Sequence, residues 1–225
     1  MVTRTAAERV GPELAQFLAP GLVHGLGNSL FAIQGHAQLI RGCESEVNRA
    51  RGGILKAAEN ALHGLDVLRF VLGEAGERDL TAPGSTLHRL CDYLRVPLRD
   101  RGIRVVYGDE SQETPIPVDG VGLCQCVVEL VRRVCQVLPS SFAGQMHIVL
   151  AAQRRDAIVV ALRLETGPSL LPFPVDLVRA IRSARPLLNC HGVKAEAGSG
   201  LEQLRLLVPA REGRSPAPAQ LVAES

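Results

Sequence analysis

Leu22-Val-His-Gly-Leu-Gly-Asn-Ser-Leu-Phe-Ala-Ile-Gln-Gly-His-Ala-Gln-Leu-Ile40 is the stretch on which the reading of this chain turns. Leu22, Val23, Leu26, Leu30, Ile33, Ala37 and Ile40 recur at intervals of three and four, the spacing of an amphipathic helix. His24 and Asn28 stand four residues apart, so their side chains share one face of that helix. Imidazole, with an ordinary pKa of about 6.5, is a nucleophile near physiological pH. A lone helix histidine is most often just that, so the residues around His24 must decide.

They do so by position. His24, Leu26, Asn28, Leu30, Ile33, Gly35, Ala37 and Leu39 fall in one fixed order and spacing. On these residues the segment resembles the phosphoacceptor helix of bacterial sensor histidine kinases, whose usual signature is His-Glu-Leu-x-Asn-Pro-Leu followed by Ile-x-Gly-x-Ala-x-Leu. The resemblance implies that His24 carries a phosphoryl group. Two positions depart from it: Gly25 stands where the family has an acid, and Ser29 where it has proline. In the family that acid is the general base when histidine attacks ATP, so its loss points away from autophosphorylation. Exchange with an aspartyl phosphate, already an activated donor, needs less help.

Composition narrows the rest. The 225 residues allow one large or two small domains, and 46% apolar content supplies a core. Aromatics are 3% and tryptophan is absent, so Leu, Val and Ala carry the packing. A net charge of +2, without basic clusters interleaved with aromatics, argues against nucleic acid and against a membrane surface. No apolar run approaches the roughly 18 residues of a membrane span, and the N-terminus lacks a signal-peptide core; a cytoplasmic protein is expected. Cys43, Cys91, Cys124, Cys126, Cys135 and Cys190 are scattered, and no second Cys/His pair gives Cys124 and Cys126 zinc-ligand spacing. Buried thiols in a reducing compartment are the simpler account.

Along the chain, residues 6–41 read as the first helix, with a kink or break at Pro20 just before His24. A turn lies in 42–53, of which 44–51 has helical character. A second helix then runs to about residue 73, its seam formed by Ile54, Ala58, Ala61, Leu65, Leu68 and Leu72. Two such helices are half a core, and a second copy of the chain completes a four-helix bundle. Beyond residue 78 the periods predict a helix at 86–101, a strand at 103–107, an apolar helix at 118–138 and paired strands at 146–151 and 157–164. A helix at 176–188 and a hairpin of 193–197 with 202–208, turning at 198–200, follow. The expected fold is α+β: an antiparallel helical hairpin at 1–76, an α/β sandwich at 77–209, and a disordered tail at 210–225.

The element order after residue 80 resembles the ATP-binding domain of histidine kinases, more by topology than by motif. The family's long helix carries an Asn-Leu-x-x-Asn-Ala box holding phosphate and magnesium; here the run is Glu129-Leu-Val-Arg-Arg-Val134. The family's Asp-x-Gly-x-Gly box, whose aspartate binds the adenine amino group, is Glu165-Thr-Gly-Pro-Ser169. Five residues, 170–174, two of them proline, stand in for the long phosphate lid. These losses predict that ATP is not bound and that the chain holds no cofactor or metal of its own. His36 and His191 read as packing residues.

The resemblance as a whole implies a dimeric histidine phosphotransferase, relaying phosphoryl groups between response-regulator receiver domains in two-component signalling. His24 is the acceptor, and Phe31 and Gln34 belong to the docking surface. The receiver brings the magnesium and the carboxylate, and an upstream hybrid kinase is a candidate donor. Two rivals stand beside it. One is a response-regulator phosphatase in which Asn28 orients water. The other is a pseudokinase scaffold without phosphoryl chemistry, to which Gly25 and Gly27 beside His24 would do no harm.

Overall fold

Two long helices, α1 (Ala6–Gln38) and α2 (Glu44–Leu72), form the N-terminal hairpin of the computed structural model of this chain. The structure describes residues 6–40, 44–74, 80–111, 116–140, 142–154, 156–166, 169–170, 176–197 and 203–210. Of the kink or break expected at Pro20, the break does not occur: α1 continues through Pro12 and Pro20 as one helix. An internal proline costs about 3 kcal/mol, but Pro20 faces solvent, and Leu14, Leu18 and Leu22 on the other side are almost wholly buried. Burying each leucine contributes about 2 kcal/mol, enough to hold the helix together across the lost hydrogen bond.

The seam of α2 also differs from the expected one. Its buried residues are Ala50, Ala57, Gly64, Val67 and Val71, whereas Leu65 is 46% exposed. The ring of His36 lies against Gly53, and that of Tyr93 against Gly64. Val23, Leu30 and Phe31 of α1, with Leu55, Leu62 and Leu65 of α2, are all exposed.

The remainder is an α/β unit. Its elements are β1 (Leu80–Thr81), α3 (Pro83–Arg99), β2 (Ile103–Asp109), β3 (Val118–Asp119), α4 (Gly120–Val137), β4 (Gly144–Arg154), β5 (Ala157–Thr166), β6 (Ser169–Leu170), α5 (Asp176–Cys190), β7 (Lys194–Ala197) and β8 (Gln203–Pro209). The main sheet has the order β2-β4-β5-β8-β7, with β6 on β5; β2 and β4 run parallel and the other pairs antiparallel. Residues 118 and 119, expected in the long helix, instead pair with β1. The cause is local: the Asp119 side chain accepts from the Val121 N–H at 3.2 Å, which caps α4 and starts it at Gly120. The final hairpin pairs as expected, while its turn at 198–200 and residues 211–225 lie outside the described residues.

One apolar cluster joins hairpin and sheet. Every residue of α4 from Gly120 to Val131 is buried, and this helix packs on α2 and α5. Leu14, Leu18, Leu22, Val67 and Val71 of the hairpin share a cluster with Leu90 and Leu94 of α3 and with Ile148, Val160 and Leu206 of the sheet. Cys91, Cys124, Cys126 and Cys135 belong to the same interior. Burial pushes the Cys91 and Cys124 thiols up to about 12 and Cys135 up to about 11, as expected of thiols that pack as apolar groups. Cys43 lies outside the described residues. No helix among them is long and apolar enough to cross a membrane.

Candidate functional site

His24 projects from α1 into solvent, with Asn28 one turn on and equally exposed. The spacing that places both on one face also brings them into contact: Asn28 Nδ2 lies 3.1 Å from His24 Nε2. With the amide nitrogen donating, Nε2 is the acceptor and the ring proton stands on Nδ1. The nucleophilic lone pair is thus on Nε2, aimed away from the backbone and held in place by a group that can let go. At position 29, serine rather than proline keeps the ladder intact and donates its hydroxyl back to the Gly25 carbonyl at 3.1 Å.

Gly25 is explained by what lies over it. A Cβ at this position would stand 2.7 Å from Cε1 of Tyr93, on α3. Gly21 meets the backbone carbonyl of Tyr93, and a Cβ at Gly64 would lie 2.9 Å from the Tyr93 hydroxyl. Glycines from two helices therefore form a socket for one ring, and burial, with the Asp92 charge beside it, pushes the Tyr93 phenol above its ordinary range. Nothing in the sequence links Tyr93 to Gly25, because the contact spans 68 positions and two elements. A side chain as long as glutamate has no room at position 25 while Tyr93 occupies it.

His24, Gly25 and Asn28 line a cleft of about 1110 Å³ whose other walls are α3 and β2. Arg95, Arg99, Arg104 and His88 also line it, against one acid, Asp92, which pairs with Arg95 at 2.9 Å. The three arginines fall within residues 95–104 but on two elements, and the sequence does not show that these face one cleft with His24. Phe31 and Gln34, expected in a docking surface, are exposed further along α1, Phe31 by 74%.

The chain is similar to solved histidine kinases. The catalytic domain of histidine kinase ThkA matches with 12% identity and a TM-score of 0.42, over 59% of this chain and 96% of that one. Full-length ShkA in complex with AMPPNP matches with 16% identity and a TM-score of 0.45; 95% of this chain spans about half (48%) of that protein. Histidine kinase AdeS of Acinetobacter baumannii matches with 12% identity and a TM-score of 0.43, over 84% of this chain and 98% of that one. No protein-family model matches the sequence, and no curated protein does. At these identities the likeness concerns architecture, and the chemistry has to be argued from this chain's own residues.

Two positions that the resemblance sets against nucleotide-binding residues make ion pairs within the chain. Glu129 is 2% exposed; its carboxylate accepts from Arg132 Nε at 2.8 Å and from Arg133 Nε at 2.7 Å, and Arg132 reaches Glu13 of α1 at 3.2 Å. The cluster ties α4 to the hairpin, where the family holds phosphate and magnesium. Glu165, in place of the adenine aspartate, pairs with His147 Nε2 at 2.9 Å across the β4–β5 ladder. Gly167 and 171–175, which bear on the lid, lie outside the described residues. His191 has the structural part expected of it: Nε2 lies 2.8 Å from Oε1 of the buried Gln125, whose amide donates to the Val71 carbonyl at 2.9 Å.

Because Glu129 neutralises two arginines from inside the protein, Glu129→Gln leaves Arg133 without its carboxylate partner and Arg132 with only the exposed Glu13. The arginines keep partial access to water, which softens the penalty. The expected loss is about 2 kcal/mol, read as a lower urea midpoint with an unchanged slope. An unchanged midpoint would show that the cluster does not hold α4 to α1.

Proposed function

We propose that this chain is a histidine phosphotransferase of two-component signalling, exchanging phosphoryl groups with response-regulator receiver domains and not driven by ATP. The observation that carries this reading is the exposed His24 imidazole, its Nε2 lone pair held by Asn28, beside a cleft lined by arginines. The eight-position match around His24 supports it independently.

In the forward step Nε2 attacks the phosphorus of an aspartyl phosphate. The N–P bond forms as the acyl P–O bond breaks, and the carboxylate leaves with the bonding pair. Nδ1 keeps its proton throughout. The Asn28 amide, released from Nε2, can donate to a phosphoryl oxygen, and the arginines of the cleft offset the anionic charge. The reverse step hands the group to a second receiver. Magnesium comes with the receiver. An upstream hybrid kinase would load the first receiver, and all partners would meet in the cytoplasm.

ATP-driven self-loading is not part of the proposal, on positive grounds. Tyr93 fills the place of the missing acid, Glu129 is internally paired, and Glu165 is engaged by His147. The test is direct. Incubation with a phosphorylated receiver should label the chain, and incubation with labelled ATP should not; labelling by ATP alone would overturn the ATP-independent part.

We further propose a homodimer through the exposed apolar face of Val23, Leu30, Leu55, Leu62 and Leu65. Five large apolar side chains on one hairpin exceed what scattered surface residues account for, and pairing two hairpins buries them in a four-helix bundle. Sedimentation equilibrium at micromolar concentration should give twice the 24.1 kDa chain mass. A monomer would refute this arrangement.

A further inference from the structure

β2 ends the sheet on the side facing the cleft, and its outward backbone groups are placed there without a strand partner among the described residues. Which groups these are follows from the ladder. Gly144 N donates to the Gly102 carbonyl at 3.2 Å, and Glu110 N to the Leu150 carbonyl at 2.9 Å, at the two ends of an unbroken register from Ile103 to Asp109. A strand turns the backbone groups of successive residues alternately to its two sides. The even-numbered residues between these ends face β4, so Ile103, Val105 and Tyr107 turn their N–H and C=O groups to the open edge.

An open strand edge is a template for another strand, and proteins usually cover or blunt it. Here it forms one wall of the cleft that also holds His24, and three arginines line that cleft: Arg95 pairs with Asp92 at 2.9 Å, Arg99 lies 3.9 Å from Asp100, and Arg104 is exposed on β2 itself. Arg99 leaves 75% of its side chain exposed. A segment lying along residues 102–107 would be extended and five or six residues long, about 20 Å. It would be matched by backbone hydrogen bonds on the β2 side and by acidic side chains at the arginines.

We infer that the receiver domain docks by adding an extended acidic segment to the open edge of β2, beneath His24. This rests on the phosphotransfer reading for the identity of the partner, but the edge and its charge do not. Strand addition supplies affinity through the backbone and leaves selection to the alternate side chains. It also places the partner near Nε2, because β2 and α1 line the same cleft.

The test is residue-resolved amide hydrogen exchange on the full chain. It is run alone, with each receiver domain encoded by the same genome, and with the probe peptide Val-Glu-Val-Glu-Val-Glu. The amides of Ile103, Val105 and Tyr107 should slow by about tenfold or more on binding, while those of Arg104 and Val106, already paired with β4, change little. The double variant Arg99→Glu/Arg104→Glu should lose that protection and raise the half-saturating receiver concentration by about tenfold. The two proposals can fail separately. Label reaching His24 without slowing at the three amides overturns strand addition and leaves phosphotransfer standing. Slowing with a receiver or the peptide, without label on His24, supports strand addition and removes the phosphotransfer reading. No slowing with any receiver or the peptide overturns strand addition outright.

Discussion

Replacing His24 with alanine is expected to abolish discharge of a phosphorylated receiver, a loss of about a thousandfold or more, while the protein stays folded. The two halves of this expectation have separate causes. Nε2 is the atom that forms the N–P bond, and no other described side chain presents an imidazole at that face of α1, so nothing replaces the nucleophile. His88 lines the same cleft, but it packs against Tyr107 with ring centroids 5.3 Å apart on the far wall. Stability should hardly change, because the His24 side chain is exposed and alanine is the better helix former by a few tenths of a kcal/mol. The measurement is label transfer paired with a urea titration. A variant that unfolds would show that His24 is a packing residue, and one that still accepts label would place the acceptor elsewhere.

Gly21→Ala is expected to cost about 3 kcal/mol, the largest stability effect of any single methyl in the hairpin. The added Cβ would meet the backbone carbonyl of Tyr93, and a main-chain neighbour cannot swing aside as a side chain can. α1 and α3 would have to separate, which opens the core at Leu22, Leu90 and Leu94. The control is Gly27→Ala, where an added Cβ has nothing within 4 Å. Relieved of a helix-interior glycine, that variant should gain about 1 kcal/mol. The pair is read by chemical denaturation. Equal midpoints for the two variants would mean that α3 is not docked on α1 as described.

These two glycines show where the sequence could be read and where it could not. Both count against helix propensity by the same amount, and nothing local separates them. Their difference lies in Tyr93, on an element that the periodicity places correctly but whose packing partner it cannot name. The order of helices and strands was legible because each carries its own period, and His24 with Asn28 was legible because both sit on one such period. The α2 seam was legible only in part. Leu68 packs against the core as the spacing predicts, but Leu65 is 46% exposed and the fully buried positions are Ala50, Ala57, Gly64, Val67 and Val71. The break expected at Pro20 failed because burial of leucines on the other face of α1 outweighs a lost hydrogen bond. The run of arginines at 95–104 is visible in the sequence, but its place in one cleft with His24 is not, because that depends on how α1 docks on α3 and β2.

The account rests most heavily on phosphoryl flow through His24. One measurement addresses it: a labelled receiver phosphate is followed into this chain and on to a second, unlabelled receiver. The label should appear transiently as an acid-labile, base-stable phosphohistidine at His24 and then on the second receiver, with little free phosphate. Release of free phosphate without a phosphohistidine would contradict the relay and identify a phosphatase. Receivers that keep their phosphate throughout would contradict phosphoryl chemistry at this site altogether.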